Sequence, residues 1–134
     1  MSADHEEVRA LVQRYARAVD ERDVDAVAAL FHPDAEVTGA RGGQGVAEWL
    51  DTLRAPRTFP TSMHVLGDPL IRFGPGEDEA ALDTYAVVYQ LGDRSSGGGD
   101  LTLGIRYLDD LVRHRGRWVI LRRESRTVWM RQVE

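Results

Sequence analysis

Apolar residues in the first part of the chain recur every three or four positions. They stand at i, i+3, i+4, i+7, i+8 and i+11, as Val8, Leu11, Val12, Tyr15, Ala16 and Val19. This spacing lines one stripe of a helix, so it predicts an amphipathic helix that ends at Asp20. Asp4, with Glu7 three positions later, is predicted to cap the N-terminus of this helix.

A second and a third helix are predicted at the same period. The second runs from about Asp23, its predicted cap, to Phe31, and His32-Pro33-Asp34 ends it because proline cannot continue a helix. Residues 35–39 are predicted as a short strand. After a Gly-Gly turn, the third helix is predicted over residues 44–54.

The period changes after Pro60. Residues 61–73, 80–91, 101–113 and 117–130 are rich in Val, Ile, Leu, Tyr and Thr, and turn-forming residues separate them. Helices followed by long strands are typical of an α+β fold. We expect one domain over residues 1–134, in which a strongly curved antiparallel sheet and three N-terminal helices form a cone around a pocket.

The composition of the chain excludes several classes of catalytic chemistry. The chain has 134 residues and 15.0 kDa, the size of one domain, and it contains no cysteine. All 17 basic residues are arginines against 22 acidic residues, which gives a net charge of −5. Thiolate and lysine chemistry are therefore excluded, and such an acidic chain is not expected to bind nucleic acid.

Other kinds of site are not indicated. The four histidines are too scattered for a zinc site, the Gly97-Gly98-Gly99 run lacks a nucleotide-binding pattern, and the serines lack a nucleophile elbow. We therefore expect no metal and no cofactor. The acidic N-terminus is unlike a signal peptide and no apolar run reaches 18 residues, so we expect a cytoplasmic protein without a membrane partner.

Several segments together resemble the SnoaL-like, nuclear-transport-factor-like superfamily. The resemblance rests on residues 13–31, on Ser62-Met63-His64-Val65, on residues 104–111, and on residues 115–120 followed by Arg123. It covers essentially the whole chain and implies a cystatin-like α+β barrel with a pocket. It implies much less about activity, because this fold hosts isomerases, dehydratases, cyclases, epoxide hydrolases and binding subunits.

Within the superfamily, the chain looks most like the branch of scytalone dehydratase and the bile-acid 7α-dehydratases. That resemblance implies a catalytic Asp20 after the first helix, a catalytic His64 on the first long strand, and a catalytic Tyr15 five residues before the aspartate. Scytalone dehydratase has a second catalytic histidine on the next strand. This chain has Tyr89 or Gln90 there instead.

These three residue types suit acid–base chemistry. A carboxylate that accepts a hydrogen bond from one imidazole nitrogen leaves the other nitrogen as a general base, and we expect it to raise the histidine pKa above about 6.5. A tyrosine hydroxyl could stabilise a developing enolate. The alternatives are that Asp20 caps the second helix, that His64 is a structural strand residue, and that Tyr15 is simply buried.

The predicted function is a dehydratase, isomerase or cyclase that uses this Asp-His pair, without a cofactor, on a hydrophobic oxygenated ring substrate. Secondary metabolism and steroid or aromatic catabolism are its possible settings. The alternative is a binding or accessory subunit without chemistry. Steroid isomerisation is disfavoured, because the short strand lacks the aspartate base, and an epoxide-hydrolase triad is not evident.

Two further expectations concern surfaces. Tyr85, Tyr89, Arg106 and Trp129 are predicted to line the substrate pocket, and a homodimer is expected from the resemblance. The arginines of the last strand, Arg122, Arg123 and Arg126, are expected to form ion pairs with neighbouring carboxylates rather than to bind RNA.

Overall fold

The computed structural model describes residues 2–133 and confirms the α+β class. It contains three α-helices, one 3₁₀ turn over Arg94–Ser96 and seven strands. The helices are α1 (Ala3–Asp20), α2 (Val24–Ala28) and α3 (Val46–Arg54). The strands are β1 (Phe31–Gly39), β2 (Gly42–Gly45), β3 (Thr61–Leu66), β4 (Leu70–Phe73), β5 (Glu79–Leu91), β6 (Asp100–His114) and β7 (Arg117–Val133).

The strands form one curved, open sheet in the order β2-β1-β7-β6-β5-β3, and β4 also pairs with β5. The predicted curved sheet is confirmed, but it is mixed rather than antiparallel throughout, because β1 pairs with β7 in parallel. Phe31 lies opposite Ile120 in that pairing, whereas all other strand pairs run antiparallel. A pattern of apolar residues fixes which residues face the core but not the direction of a distant partner strand.

Ser2, rather than Asp4, caps α1. Its side-chain oxygen accepts a hydrogen bond from the backbone N–H of His5 at 3.1 Å. The carboxylates of Asp4 and Glu7 instead accept hydrogen bonds from the indole N–H and the backbone N–H of Trp118. The predicted capping pair therefore fastens α1 to the start of β7.

Two predicted boundaries move. The helix α2 ends at Ala28, and Phe31 already belongs to β1, where Leu30 O accepts a hydrogen bond from Ile120 N. The predicted strand over residues 61–73 is divided into β3 and β4 around Gly67-Asp68-Pro69. Proline has no N–H to donate to a ladder, so the strand is interrupted there.

The sheet has two distinct faces, which strand β5 shows most clearly. Its even-numbered residues, from Ala80 to Val88, are buried against the helices and form what we call the inner face. Its odd-numbered residues point to the other, outer face, where Tyr85 is 64% exposed. The apolar stripe of α1 closes the core over the inner face. Among the described residues, no helix is long and apolar enough to cross a membrane.

Candidate active site

Asp20 and His64 form a hydrogen-bonded pair at the junction of α1 and β3. The Asp20 Oδ1 atom lies 2.7 Å from His64 Nδ1, and Asp20 Oδ2 accepts a hydrogen bond from the His64 backbone N–H, also at 2.7 Å. These two contacts fix the imidazole from both its ring and its main chain. Nε2 makes no hydrogen bond with the described residues, so it is the nitrogen available to a ligand.

Arg22 and Ser62 support this pair from behind. The Ser62 hydroxyl donates to Asp20 Oδ1 at 2.8 Å and accepts from Arg22 Nη1 at 2.9 Å. The Arg22 guanidinium also donates to the carbonyl oxygens of Val19, Phe59 and Pro60. Arg22 has a left-handed backbone with φ of 61°, an unusual conformation for a residue with a side chain. It reverses the chain after α1 and ties the α3–β3 loop to the site.

The pKa values of the two residues of the pair are both shifted, and the shift of His64 is opposite to the one expected from the sequence. Burial tends to raise the pKa of Asp20, but the hydrogen bonds from His64 and Ser62 outweigh it and lower that pKa. Burial also lowers the pKa of His64, and the nearby Asp20 carboxylate only partly opposes this. The expectation of a raised histidine pKa is therefore wrong. At neutral pH the pair consists of a carboxylate and a neutral imidazole, which is the form that a general base requires.

Tyr15 lies beside the pair in a cluster of aromatic rings. Its ring meets the ring of His64 edge-on at a centroid distance of 6.4 Å and stacks on Trp49 at 6.4 Å. Burial raises the pKa of Tyr15, and the positive charge of Arg123 opposes that rise. Tyr15 therefore keeps its proton at neutral pH and can act as a hydrogen-bond donor.

Arg123 is the residue near the site whose role the sequence did not show. It is 2% exposed, and its Nε and Nη2 atoms bind the two carboxylate oxygens of Asp109 at 2.7 and 2.9 Å. Its guanidinium lies 3.9 Å from the ring centroid of Tyr15 and 4.3 Å from that of Tyr107. The expected pairing of β7 arginines with carboxylates is confirmed. What was missed is that Arg123, unlike Arg122 and Arg126, belongs to the inner face, although strand alternation could have shown it.

The space around these residues has two parts. Asp20 and His64 line a groove of about 890 Å³ along α1, α2 and β3. Tyr15 and Arg123 line a separate cavity of about 360 Å³ between α3, the β1–β2 turn and the inner face. The side chains of the pair are nearly enclosed, with 8% exposure for His64 and 18% for Asp20.

The four residues predicted to line the substrate pocket do not lie with the Asp20–His64 pair. Tyr85, Tyr89 and Arg106 occupy the outer face, where Arg106 Nε donates to Asp83 Oδ1 at 2.9 Å. Trp129 covers Gly104 on that same face, and with Tyr85 it lines an outer groove of about 420 Å³. The alternation of β5 accounts for this, because Tyr85 and Tyr89 are at odd positions and His64 faces inward opposite Val88.

This chain has Tyr89 and Gln90 where scytalone dehydratase has its second catalytic histidine, and these two residues lie on opposite faces of β5. Tyr89 points outward, whereas Gln90 pairs with Ser62 in the β3–β5 ladder, next to the site. Within residues 2–133, no three His, Cys, Asp or Glu side chains are grouped so as to hold a metal ion.

Comparisons with known proteins agree with this architecture. The model of the SnoaL-like domain matches residues 1–124. An uncharacterised protein of Mycobacterium tuberculosis is 29% identical over 127 residues, which cover 90% of this chain and 83% of that protein.

Solved structures show the same fold. A provisionally named scytalone dehydratase of Novosphingobium aromaticivorans superposes with a TM-score of 0.87, at 24% identity over 98% of this chain and 88% of that one. A hexachlorocyclohexane dehydrochlorinase of Novosphingobium barchaimii gives 0.85, at 17% identity over 98% and 90%. A protein of unknown function with a cystatin-like fold from Nostoc punctiforme gives 0.76, at 22% identity over 95% and 92%. Because the family model spans nearly the whole sequence, this chain belongs to the SnoaL-like domain family.

Proposed function

We propose that this protein is a cofactor-independent lyase that eliminates water from a hydrophobic, oxygenated ring compound, with His64 as the general base. The observation that carries the proposal is the 2.7 Å contact between Asp20 Oδ1 and His64 Nδ1, which leaves Nε2 unpaired. Two structural neighbours are named for elimination reactions, a dehydratase and a dehydrochlorinase, and this favours elimination over isomerisation or cyclisation.

In the proposed reaction, His64 Nε2 removes a proton from the carbon next to a carbonyl group. The C–H electrons move to the carbonyl oxygen and form an enolate, and the Tyr15 hydroxyl donates a hydrogen bond to that oxygen. The enolate then collapses to form the new C=C bond and expels the β-hydroxyl group, which takes the proton from the imidazolium and leaves as water. Asp20 stabilises the imidazolium between these two steps.

The test is a panel of cyclic β-hydroxyketones, with formation of the conjugated enone followed by its ultraviolet absorbance. His64→Ala should lower turnover by about 10²–10⁴-fold, the usual contribution of a general base. His114→Ala, which removes a histidine far along the chain at the end of β6, is the matched control and should keep full activity. Full activity in His64→Ala would contradict the proposed mechanism.

The alternative function is ligand binding without chemistry, and the low exposure of His64 is the observation that favours it. Native mass spectrometry of the purified protein distinguishes the two. A retained hydrophobic ligand, together with no turnover across the panel, would establish the binding function.

We further propose a cytoplasmic homodimer that buries the outer face of the sheet. In support, large apolar side chains are exposed there, among them Met63, Val65, Tyr85 and Trp129. Burial of such a patch is a common reason for association. Light scattering should give twice the 15.0 kDa mass of the chain, and Tyr85→Asp should return it to one chain. A single-chain mass for the unmodified protein would refute the dimer, and cell fractionation tests the location.

A further inference from the structure

The cavity beside Tyr15 has a lining that the elimination mechanism does not explain. It encloses about 360 Å³ beneath the β1–β2 turn, and three aromatic side chains form its walls: Tyr15, Trp49 and Tyr107. Trp49 and Tyr15 are nearly parallel, with an interplanar angle of 18°. Arg123 covers one face of each tyrosine, so a ligand would meet the remaining ring surfaces and the ring of Trp49. These surfaces favour a flat ligand, because aromatic rings gain most from offset stacking and edge contacts with other rings.

The charges of the lining are one-sided. Two arginines, Arg41 and Arg123, line the cavity, and no aspartate or glutamate does so among the described residues. The whole chain has more acidic than basic residues, 22 against 17, so this lining has the opposite sign to the protein that contains it. Asp109, outside the lining, compensates the charge of Arg123, so Arg41 supplies the net positive charge that attracts an anion to this cavity.

Arg123 has a donor without an acceptor. Its Nε and Nη2 atoms are committed to Asp109, but Nη1 is buried and makes no hydrogen bond with the described residues. A buried donor without a partner carries a free-energy cost, because it has lost its hydrogen bonds to water. A ligand that brings an acceptor next to this guanidinium would recover part of that cost.

Arg41 is placed differently and complements Arg123. It lies in the turn between β1 and β2, its side chain is exposed, and it forms no ion pair with the described residues. An exposed guanidinium at the rim attracts an incoming anion and pairs with it without breaking an existing bond. Arg123 lies at the inner end of the same cavity.

We propose that this cavity binds a planar ring compound that carries a carboxylate group, with the ring against Tyr15, Trp49 and Tyr107 and the carboxylate between Arg41 and Arg123. A guanidinium matches a carboxylate in shape as well as in charge, because its paired N–H groups reach both oxygens. Tyr15 lines this cavity and its ring also contacts that of His64. We therefore name such an acid as the substrate, and this part of the inference rests on the proposed function. Binding itself requires no turnover.

The probes are 2-naphthoate and 2-naphthamide, which have the same ring and differ in charge. Isothermal titration calorimetry on the full chain at pH 7 should show naphthoate binding at least about tenfold more tightly, since hydrogen bonds to charged groups exceed neutral ones by about 1.4 kcal/mol. The preference should decrease with added salt.

Variants assign the preference to the cavity. Arg41→Gln should weaken naphthoate binding by about two- to fivefold, as expected for an exposed ion pair, and leave naphthamide unchanged. Arg54→Gln is the matched control, because Arg54 is an exposed arginine at the end of α3, outside this cavity, and it should change neither affinity.

Arg123→Gln alone would leave Asp109 buried without a partner. The double variant Arg123→Gln with Asp109→Asn removes both charges together and keeps hydrogen-bonding groups in place, and circular dichroism verifies its fold. It should reduce the naphthoate preference to the two- to fivefold that Arg41 alone contributes, while naphthamide still binds.

Equal affinities for the two probes in the unmodified protein would overturn the inference, as would an equal effect of Arg41→Gln and Arg54→Gln. The outcome is separate from that of the proposed function. A naphthoate preference without turnover of any hydroxylated ring compound, acids included, refutes the lyase and leaves the binding site. Turnover of neutral ketones without a naphthoate preference supports the lyase and refutes the carboxylate-binding site.

Discussion

Replacing Asp20 with asparagine changes the chemistry of two oxygen positions while it preserves their shape. In the structure, Oδ1 accepts from both Ser62 Oγ and His64 Nδ1, and Oδ2 accepts from His64 N. An amide has one acceptor and one donor group, so it cannot reproduce this pattern. With the NH₂ at the Oδ2 position, two donors face each other at the His64 backbone.

The other orientation avoids that conflict and is the one we expect. The amide oxygen then accepts from His64 N, and the NH₂ group donates to Nδ1, which must lose its proton. The imidazole proton moves to Nε2, and the atom that should act as the base becomes a donor. Charged hydrogen bonds are replaced by neutral ones, so the free energy of unfolding should fall by about 1–2 kcal/mol. Turnover should fall by about 10²–10⁴-fold.

Nitrogen-15 NMR of the four histidines measures this tautomer directly, and His64→Ala assigns the signals. The unmodified protein should show a protonated Nδ1 and an unprotonated Nε2 for His64, and Asp20→Asn should show the reverse. Asp23→Asn is the matched control, since Asp23 caps α2 through Ala26 N and asparagine caps equally well. An unchanged tautomer together with full turnover in Asp20→Asn would refute the reasoning.

The remaining predictions concern pH, the hydroxyl behind the pair, and the outer face. Because burial holds the pKa of His64 below its ordinary value of 6.5, the unfolded chain binds a proton at a higher pH than the folded chain does. The free energy of unfolding, measured by urea titration, should therefore decrease as the pH falls below about 6.5. His64→Gln should reduce that decrease. Ser62→Ala removes a donor to the carboxylate and should cost about 1 kcal/mol of unfolding free energy, with the carboxylate pKa raised in an NMR titration. Gly104→Ala places a methyl group 2.1 Å from Trp129 Nε1, so the indole must move, its fluorescence should change, and the free energy of unfolding should fall by about 1–3 kcal/mol. Gly39→Ala is the control, because its added methyl group meets no atom within 4 Å and should change neither quantity.

The sequence predicted the elements well where a single periodicity governs them. The stripe from Val8 to Val19 is buried as predicted, because helical spacing alone decides which face of α1 meets the sheet. Cap assignment was less successful, since Asp4 and Ser2 are both good capping residues. The choice depends on Trp118 and Arg113, which are distant in sequence and both donate hydrogen bonds to the Asp4 carboxylate.

For the site, the pairing of Asp20 with His64 followed from family resemblance, and the structure brings them together. The histidine pKa could not be predicted in the same way, because the balance between a carboxylate and burial depends on how completely the fold encloses the ring. The alternation of β5 predicts that Tyr85 and Tyr89 share one face of the strand, but not which face that is. Only the buried partners of that strand show which of its two apolar faces belongs to the core.

The parallel pairing of β1 with β7 has a consequence for how the chain is made. During synthesis, β1 is translated well before β7, the strand that completes its hydrogen bonds, because β2 to β6 lie between them. Until Ile120 can meet Phe31, β1 has no partner strand on the side where β7 pairs with it, and the core residues of β7 are missing from the inner face. Such pairing over a long sequence separation slows folding and leaves apolar surface open to association. A nascent chain arrested before β7 is therefore a natural target for chaperones, and truncation within β7 should release insoluble protein rather than a smaller domain.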